Sequence, residues 1–317
     1  MPSLPRKLVK RAAMLLIVLT GVSLLSFALS AISPIDAAEA FARRSLISVS
    51  PEQIDLLRVE MGLDKPIYIQ YLKWLGGLLR GDFGVSLITR APIADDIFAR
   101  ISLTLKLSGL SLLIVAVTSV SGAVICAARK NSPFDHAIRG ITVFGLSVPN
   151  FWLGFVLLLI FAVKLPIFNV IESGSSLKAL ILPAVALAIP SGSSMTRIFR
   201  ATILSEMNKD YVIYARARGL SAHRTLWMHI LKNSFPSILT MLCQNFGYMI
   251  SSCAVLEKIF SLKGLGGYLA DAIIGRDLAA VNACVFIVAL IFVAVNTLSD
   301  IVNARIAPRM AGGVPNV

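Results

Sequence analysis

Six long apolar runs, separated by segments rich in charge, glycine and proline, set the pattern of the chain. They fall at about 9–32, 101–127, 138–163, 178–199, 234–256 and 281–303. Each can supply the roughly 20 apolar residues that cross a hydrocarbon core about 30 Å thick as an α-helix. The pattern predicts an all-α, polytopic membrane protein with six transmembrane helices. The first run has a basic front (Arg6, Lys7, Lys10, Arg11) and a small-residue triplet at Ala28-Leu29-Ser30, as a secretory signal would. Its apolar stretch of about 20 residues exceeds the usual core of about 7–15, so the expectation is an uncleaved helix.

The segment between the first two runs is too polar to span and too apolar to be disordered. Ser50-Pro51-Glu52-Gln53 reads as a helix start with Ser50 as cap. Leu63-Asp64-Lys65-Pro66 reads as a turn. Ile67, Tyr71, Trp74, Leu75 and Leu78 recur at helical spacing, and Tyr68, Tyr71 and Trp74 suit a membrane interface. Gly81-Asp82-Phe83-Gly84 marks a break. The third run carries Ser147-Val148-Pro149-Asn150-Phe151-Trp152, where a mid-helix proline predicts a kink. The fourth carries Pro183 and Pro190, followed by Ser191, Gly192, Ser193 and Ser194. Kinks with small and polar residues suit helices that line a cavity and move, and equally suit close packing.

Composition narrows the class. Of 317 residues, 56% are hydrophobic and 15% charged, with mean hydropathy +0.80. Soluble domains run near 25% charged. A disordered chain, a nucleic-acid-binding domain and an ordinary cytosolic enzyme are therefore excluded. The net charge of +13 reports topology instead. With the N-terminus inside, the segments on that side hold sixteen Lys and Arg against four acids, while the outer segments balance at thirteen each. Lys106, near the outer end of the second run, is the remaining cation. The excess lies on one side, which predicts both termini in the cytoplasm.

Cys126, Cys243, Cys253 and Cys284 all sit in apolar runs, without CxxC or Cys/His metal spacing. No metal site is expected; packing between helices is the plain role for these thiols, with soft contact to a passing metal as the alternative. The largest basic segment on the inner side runs from about 200 to 233. Asn208 or Asp210 can cap a helix there, Tyr211, Tyr214 and Ala215 fall at i, i+3, i+4, and Gly219 sits where a left-handed cap would end it. A second helix is predicted from about Ala222 to Lys232, with Pro236 opening the fifth span. The expected shape is a helix–turn–helix projecting from the membrane. It is either a solvated basic loop or a docking element for a cytoplasmic partner.

This stretch resembles the coupling loop of binding-protein-dependent ABC importer permeases, above all the dipeptide, oligopeptide and nickel branch. Asp210, Tyr211, Ala215, Arg216, Arg218, Gly219 and Leu220 match its pattern, followed by His229, Leu231, Asn233 and Pro236, with Lys232 where the branch usually has Arg. Ile213 and Tyr214 replace the Glu and first Ala of the broader EAA motif. The likeness continues through Gly62–Pro66, Gln70-Tyr71, Trp74, Gly81–Gly84, Thr104-Leu105, Ser147–Gly154, Glu257, Ile259-Phe260 and Gly264–Gly266. It reaches Asp300, Asn303, Pro308 and Arg309. Leu262-Lys263 and Arg276-Asp277-Leu278-Ala279 depart from the branch's usual Trp-Pro and Arg-Asp-Tyr-Pro.

The resemblance implies a type I ABC importer permease fold, similar to the methionine importer. It also implies a bacterial inner-membrane location and import of small peptides or nickel and other metal chelates. The implied organisation is a cytoplasmic tip and first helix over 1–32, an external helical cap region over 33–100, a five-helix core with its coupling loop over 101–310, and a tail over 311–317. The implied coupling residues are Asp210, Tyr211, Tyr214, Ala215, Arg216, Arg218, Gly219 and Leu220. The implied partners are a second homologous permease in a heterodimer, one or two cytoplasmic ABC ATPase subunits, an extracytoplasmic substrate-binding protein and membrane lipid. No nucleic acid is expected. The chain has no GxxxxGK[ST] motif, so it is expected to bind no cofactor and catalyse nothing itself, with ATP and Mg held by the ATPase subunits.

A path for polar cargo needs polar groups inside the bundle. Candidates are Asn150, Gln244, Asn245 and Asn296, with Met195 and Met249 as soft contacts for a metal; Ser251 and Ser252 are weaker. His223 and His229 lie in the coupling loop, where a structural role is expected. A membrane-embedded enzyme has no HExxH, GxSxG or intramembrane acid/base pair to stand on. A lone channel or secondary carrier would need charges inside the bundle, and the runs offer only Lys106, which can snorkel outward.

Overall fold

The computed structural model describes residues 4–32, 38–39, 41–42, 50–169 and 176–306. The expectations for Pro308, Arg309 and the tail over 311–317 lie outside these, as do the side chains of Arg6, Lys7, Lys10, Arg11 and Arg305. Among the described residues the regular elements are all helical: α1 (Leu4–Ile32), α2 (Pro51–Glu60), α3 (Ile67–Leu79), α4 (Ile93–Ala128), α5 (Pro133–Ser147) and α6 (Asn150–Leu158). They continue with α7 (Leu177–Met207), α8 (Asp210–Ala217), α9 (Ala222–Thr225), α10 (Leu231–Ile259), α11 (Leu265–Ile274) and α12 (Leu278–Ile306).

Among the described residues, four helices are long and apolar enough to cross a membrane: α4, α7, the α9–α10 run and α12. The α5–α6 pair makes a fifth if it is one bent span. In α1 the described apolar stretch is the shorter Leu15–Leu29. The count of six therefore rests on α1 and on the bent pair.

Pro149 does more than kink the third span. Val148 is extended (φ −96°, ψ 124°) and Pro149 caps the next helix, so α5 and α6 meet at 96°. The residue before a proline is pushed out of the helical region, which explains why the break falls at Val148. Pro183 and Pro190, by contrast, sit inside an unbroken α7. Wide π-helical turns follow α6 (Leu159–Lys164) and α9 (Leu226–Ile230).

The described residues pack as two compact units. One comprises 103–262 with 292–306. Its core gathers Leu107 and Val115 of α4, the Ala- and Leu-rich face of α7, and Met249, Cys253 and Leu256 of α10. Small residues allow close approach there: a Cβ at Gly145 of α5 would overlap Ser193 Oγ of α7. The other unit comprises residues up to 102 with 263–291. In it Leu78, Phe83, Ile93, Ile97, Leu265, Tyr268 and Ala280 form the core. Ser50 caps α2 in a capping box with Gln53 as read from the sequence. Asp277, fully buried, accepts the Ala280 N–H at the start of α12 and binds Ser86 Oγ and Leu87 N–H, both at 2.7 Å.

Candidate functional site

The sequence-predicted coupling segment folds as α8, a separate eight-residue helix. Lys209 is its N-cap, rather than Asn208 or Asp210: Asn208 closes α7, and Asp210 is the first helical residue of α8. An acid in that first turn faces the positive end of the helix dipole, and Arg216 in the last turn faces the negative end. The helix stops in a left-handed cap. Gly219 lies at φ +80°, its N–H bonds the Arg216 carbonyl at 2.9 Å, and the Leu220 N–H bonds the Ala215 carbonyl at 3.2 Å.

One face of α8 is fixed to the protein. Val212 packs with Phe199 and Ile203 of α7, Ala123 and Ala127 of α4, and Leu226, Ile230 and Ile238. Ala215 is buried as well. Tyr211 is half-buried, and its hydroxyl donates to the Glu206 carboxylate at 2.9 Å. Burial raises the Tyr211 pKa above its ordinary value; the Glu206 carboxylate adds to this, and a hydrogen bond with Asn233 opposes it.

The expected shared face of Tyr211, Tyr214 and Ala215 divides. Tyr211 and Ala215 point inward, whereas Tyr214 is 71% exposed and Ile213 63%. Asp210, Arg216, Arg218 and Gly219 are exposed beside them, and Leu220 is half-buried.

The predicted second helix does not end at Lys232. Ser221 caps α9, the π-helical turn follows, and the chain runs on into α10, with Pro236 inside it. That wide turn buries Leu226 and Ile230 while Trp227 and Met228 stand 55% and 54% exposed. Trp227 and Met228 were not singled out from sequence. The signal was there: large apolar residues at i, i+1 between buried ones, in a segment otherwise basic.

The pathway candidates scatter. Asn150 is the first residue of α6, at the bend. Asn245 is buried with its side-chain carbonyl oxygen unpartnered, while Gln244 beside it is exposed. Met249, one turn on, is fully buried in the core, and Met195 packs against the same core. Asn296 donates to the Phe292 carbonyl of its own helix at 2.9 Å.

Two polar sites escaped the sequence reading. Lys106 is not the only ionisable group in the spans, because α10 extends to Ile259 and takes in Glu257. This residue is fully buried and accepts a 2.6 Å hydrogen bond from Thr104. Asp135 at the start of α5 is fully buried too, and Arg200 of α7 grips it with two bonds of 2.8 and 2.6 Å.

The described residues form an all-helical protein of the membrane-spanning class, with the short helix α8 packed against α4 and α7. Comparison supplies the family. Residues 119–312 match the model of the binding-protein-dependent transport system inner membrane component, and residues 4–108 match its N-terminal companion. The chain belongs to this family. It is 32% identical over 320 residues to the oligopeptide transport system permease protein AppB of Bacillus subtilis, covering 96% of this chain and 98% of that one. It is 32% identical over 308 residues to the metal-staphylopine import system permease protein CntB of Staphylococcus aureus, with the same coverage. Its fold matches a solved inward-facing structure of the MetNI methionine ABC transporter with TM-score 0.56 at 13% identity. That match covers 66% of this chain and 95% of that one.

Proposed function

We propose that this permease imports small peptides or metal chelates. Cytoplasmic ABC ATPase subunits, which hold ATP and Mg, supply the energy, and an extracytoplasmic binding protein delivers the cargo. A second homologous permease completes the pathway. The family and the full-length likeness to peptide and metal-chelate permeases support this reading.

The observation that carries the coupling role is the split character of α8. Its inner face is locked to α4, α7 and the α10 region, and its outer face offers Ile213, Tyr214, Arg216 and Arg218 to solvent. An exposed apolar pair flanked by arginines suits a groove on a partner with an apolar floor and acidic rim. Trp227 and Met228, exposed in the π-helical turn after α9, add large apolar side chains to the same basic segment. Movement of the ATPase would carry α8 as a lever, and the spans would alternate between inward-open and outward-open. Both termini lie in the cytoplasm on this reading, as the charge distribution supports. The chain itself catalyses nothing.

The test is on the assembled complex with its substrate-binding protein. The binding protein is titrated calorimetrically with di- and tripeptides, then with free and chelated nickel. The cargo it binds is then followed into proteoliposomes. Peptide binding with no metal response assigns a peptide permease, and nickel or chelate binding alone assigns a metal permease. Accumulation without ATP would overturn the ATP-driven reading in favour of a stand-alone carrier.

A further inference from the structure

We propose that the pair formed by the buried Asp135 and the half-buried Arg200 is a positioning joint. It clamps α5 and α7 into one plate, through which displacement of α8 reaches the bend at Val148-Pro149. The proposal rests on α8 being the ATPase coupling element.

The geometry starts at α7. Glu206, six residues after Arg200, holds Tyr211 and Lys209 by hydrogen bond and ion pair. A continuous helix separates Glu206 from Arg200 by about 9 Å, so force on α8 is delivered to Arg200 without an intervening hinge. Arg200 then passes it to α5. Its guanidinium meets both carboxylate oxygens of Asp135, which fixes angle as well as distance. A third bond, from the Asn131 N–H at 3.0 Å, ties the turn before α5 to the same carboxylate. Asn131 holds a left-handed conformation at φ +62°, and Ser132 caps α5.

Stability alone gives no reason for charge here. A buried ion pair is often matched or bettered by apolar residues of equal volume, whereas two parallel hydrogen bonds fix one relative orientation of two helices. The far end of the plate is fixed differently. Gly145 sits so close to Ser193 that not even a Cβ fits between them. Held about 15 Å apart along α5, these two attachments prevent it from sliding or rotating on α7 alone. The plate ends where helical hydrogen bonding ends, at Val148-Pro149, and α6 leaves at 96° with the pathway candidate Asn150 as its first residue.

The experiment uses the full permease–ATPase complex, with Cys243, Cys253 and Cys284 replaced and Cys126, whose thiol lies against the Asp135 carboxylate, changed to Ser so that a donor remains there. Spin labels are placed through Phe144→Cys and Phe155→Cys, exposed positions on either side of the bend. The distance between them is read with and without ATP and vanadate, alongside ATP hydrolysis. In the otherwise unchanged protein the distance is expected to shift. In Asp135→Asn hydrolysis is expected to persist while the shift is lost. Arg200→Lys keeps the charge but loses the two-bond grip; it serves where the first variant assembles poorly and is expected to lose most of the shift. A full shift in both variants overturns the joint, as does a bend that ignores ATP and vanadate in the unchanged protein. Hydrolysis no different from that of the ATPase subunits alone would instead defeat the coupling reading of α8, and the joint with it.

Discussion

The Tyr211 hydroxyl lies 2.9 Å from the Glu206 carboxylate, and this bond stitches the first turn of α8 to the last turn of α7. Glu206 is nearly buried and also receives the Lys209 ammonium. The segment between the two helices, Asn208-Lys209, is short and exposed. The orientation of α8 is therefore set by side chains: Tyr211 and Lys209 on Glu206, and Val212 in the core.

Tyr211→Phe removes the polar stitch and keeps the ring. A hydrogen bond to a charged group is worth about 1.5–3 kcal/mol, and the half-exposed setting reduces this to about 1 kcal/mol. The variant is expected to assemble normally and melt slightly lower, with fewer molecules imported per ATP hydrolysed. The pH dependence follows from the raised pKa. The protonated hydroxyl is favoured in the folded state, so its contribution is full below the free tyrosine value of about 10 and is lost only as pH rises through the folded value. Coupling should be flat with respect to Tyr211 from about pH 6 to 9. A loss within that window that disappears in Tyr211→Phe would contradict the assignment.

Gly219 ends α8 at φ +80°, with open space where a Cβ would project. Gly219→Ala therefore costs backbone strain alone, about 1–2 kcal/mol, and Gly219→Asn less. Gly219→Glu adds a charge to the surface proposed to meet the ATPase. We expect it to reach the membrane in normal amount and to abolish uptake, while Gly219→Asn keeps most of it. Wild-type uptake by a well-expressed Gly219→Glu protein would sink the role of this surface.

The apolar runs and the Ser50, Gly81–Gly84 and Gly219 signals were legible because each follows from local rules: span length, capping, left-handed glycine. The break at Pro149 was half-legible. Proline announces a disturbance, but whether a span bends or breaks depends on Val148 finding an extended conformation, whereas Pro183 and Pro190 stay inside α7. The division between Tyr211 and Tyr214 was not legible, since a face shared at helical spacing becomes an inner and an outer one only when α7 and α4 are in place. Asp135 and Arg200, 65 residues apart, carry no spacing signal at all.

Gly154 of α6 packs against α10. A Cβ there would lie 2.8 Å from a terminal methyl of Leu256, itself fully buried. Gly154→Ala is expected to overpack this contact at about 1–3 kcal/mol, seen as a lower melting temperature of the detergent-solubilised protein. Adding Leu256→Val trims the opposing side chain, so the double variant should melt higher than Gly154→Ala alone. Equal melting of the single and double variants would show that the two helices adjust independently of this contact.

Asn245 separates packing from transport. Its side-chain carbonyl oxygen is buried in the α10 face without a partner, a state that costs stability if the amide serves only to fill space. Asn245→Leu removes the unmet group while roughly keeping the volume, so the protein should melt at the same temperature or higher. If the amide meets cargo, uptake falls in that same variant, and this is the expected result. Met249→Leu is the control. Met249 is wholly enclosed by the core, the exchange conserves volume, and the expected cost stays below about 1.5 kcal/mol with uptake unchanged. Full uptake by Asn245→Leu would return this residue to the packing of the bundle. Impaired uptake by Met249→Leu at unchanged stability would move the path into the core instead.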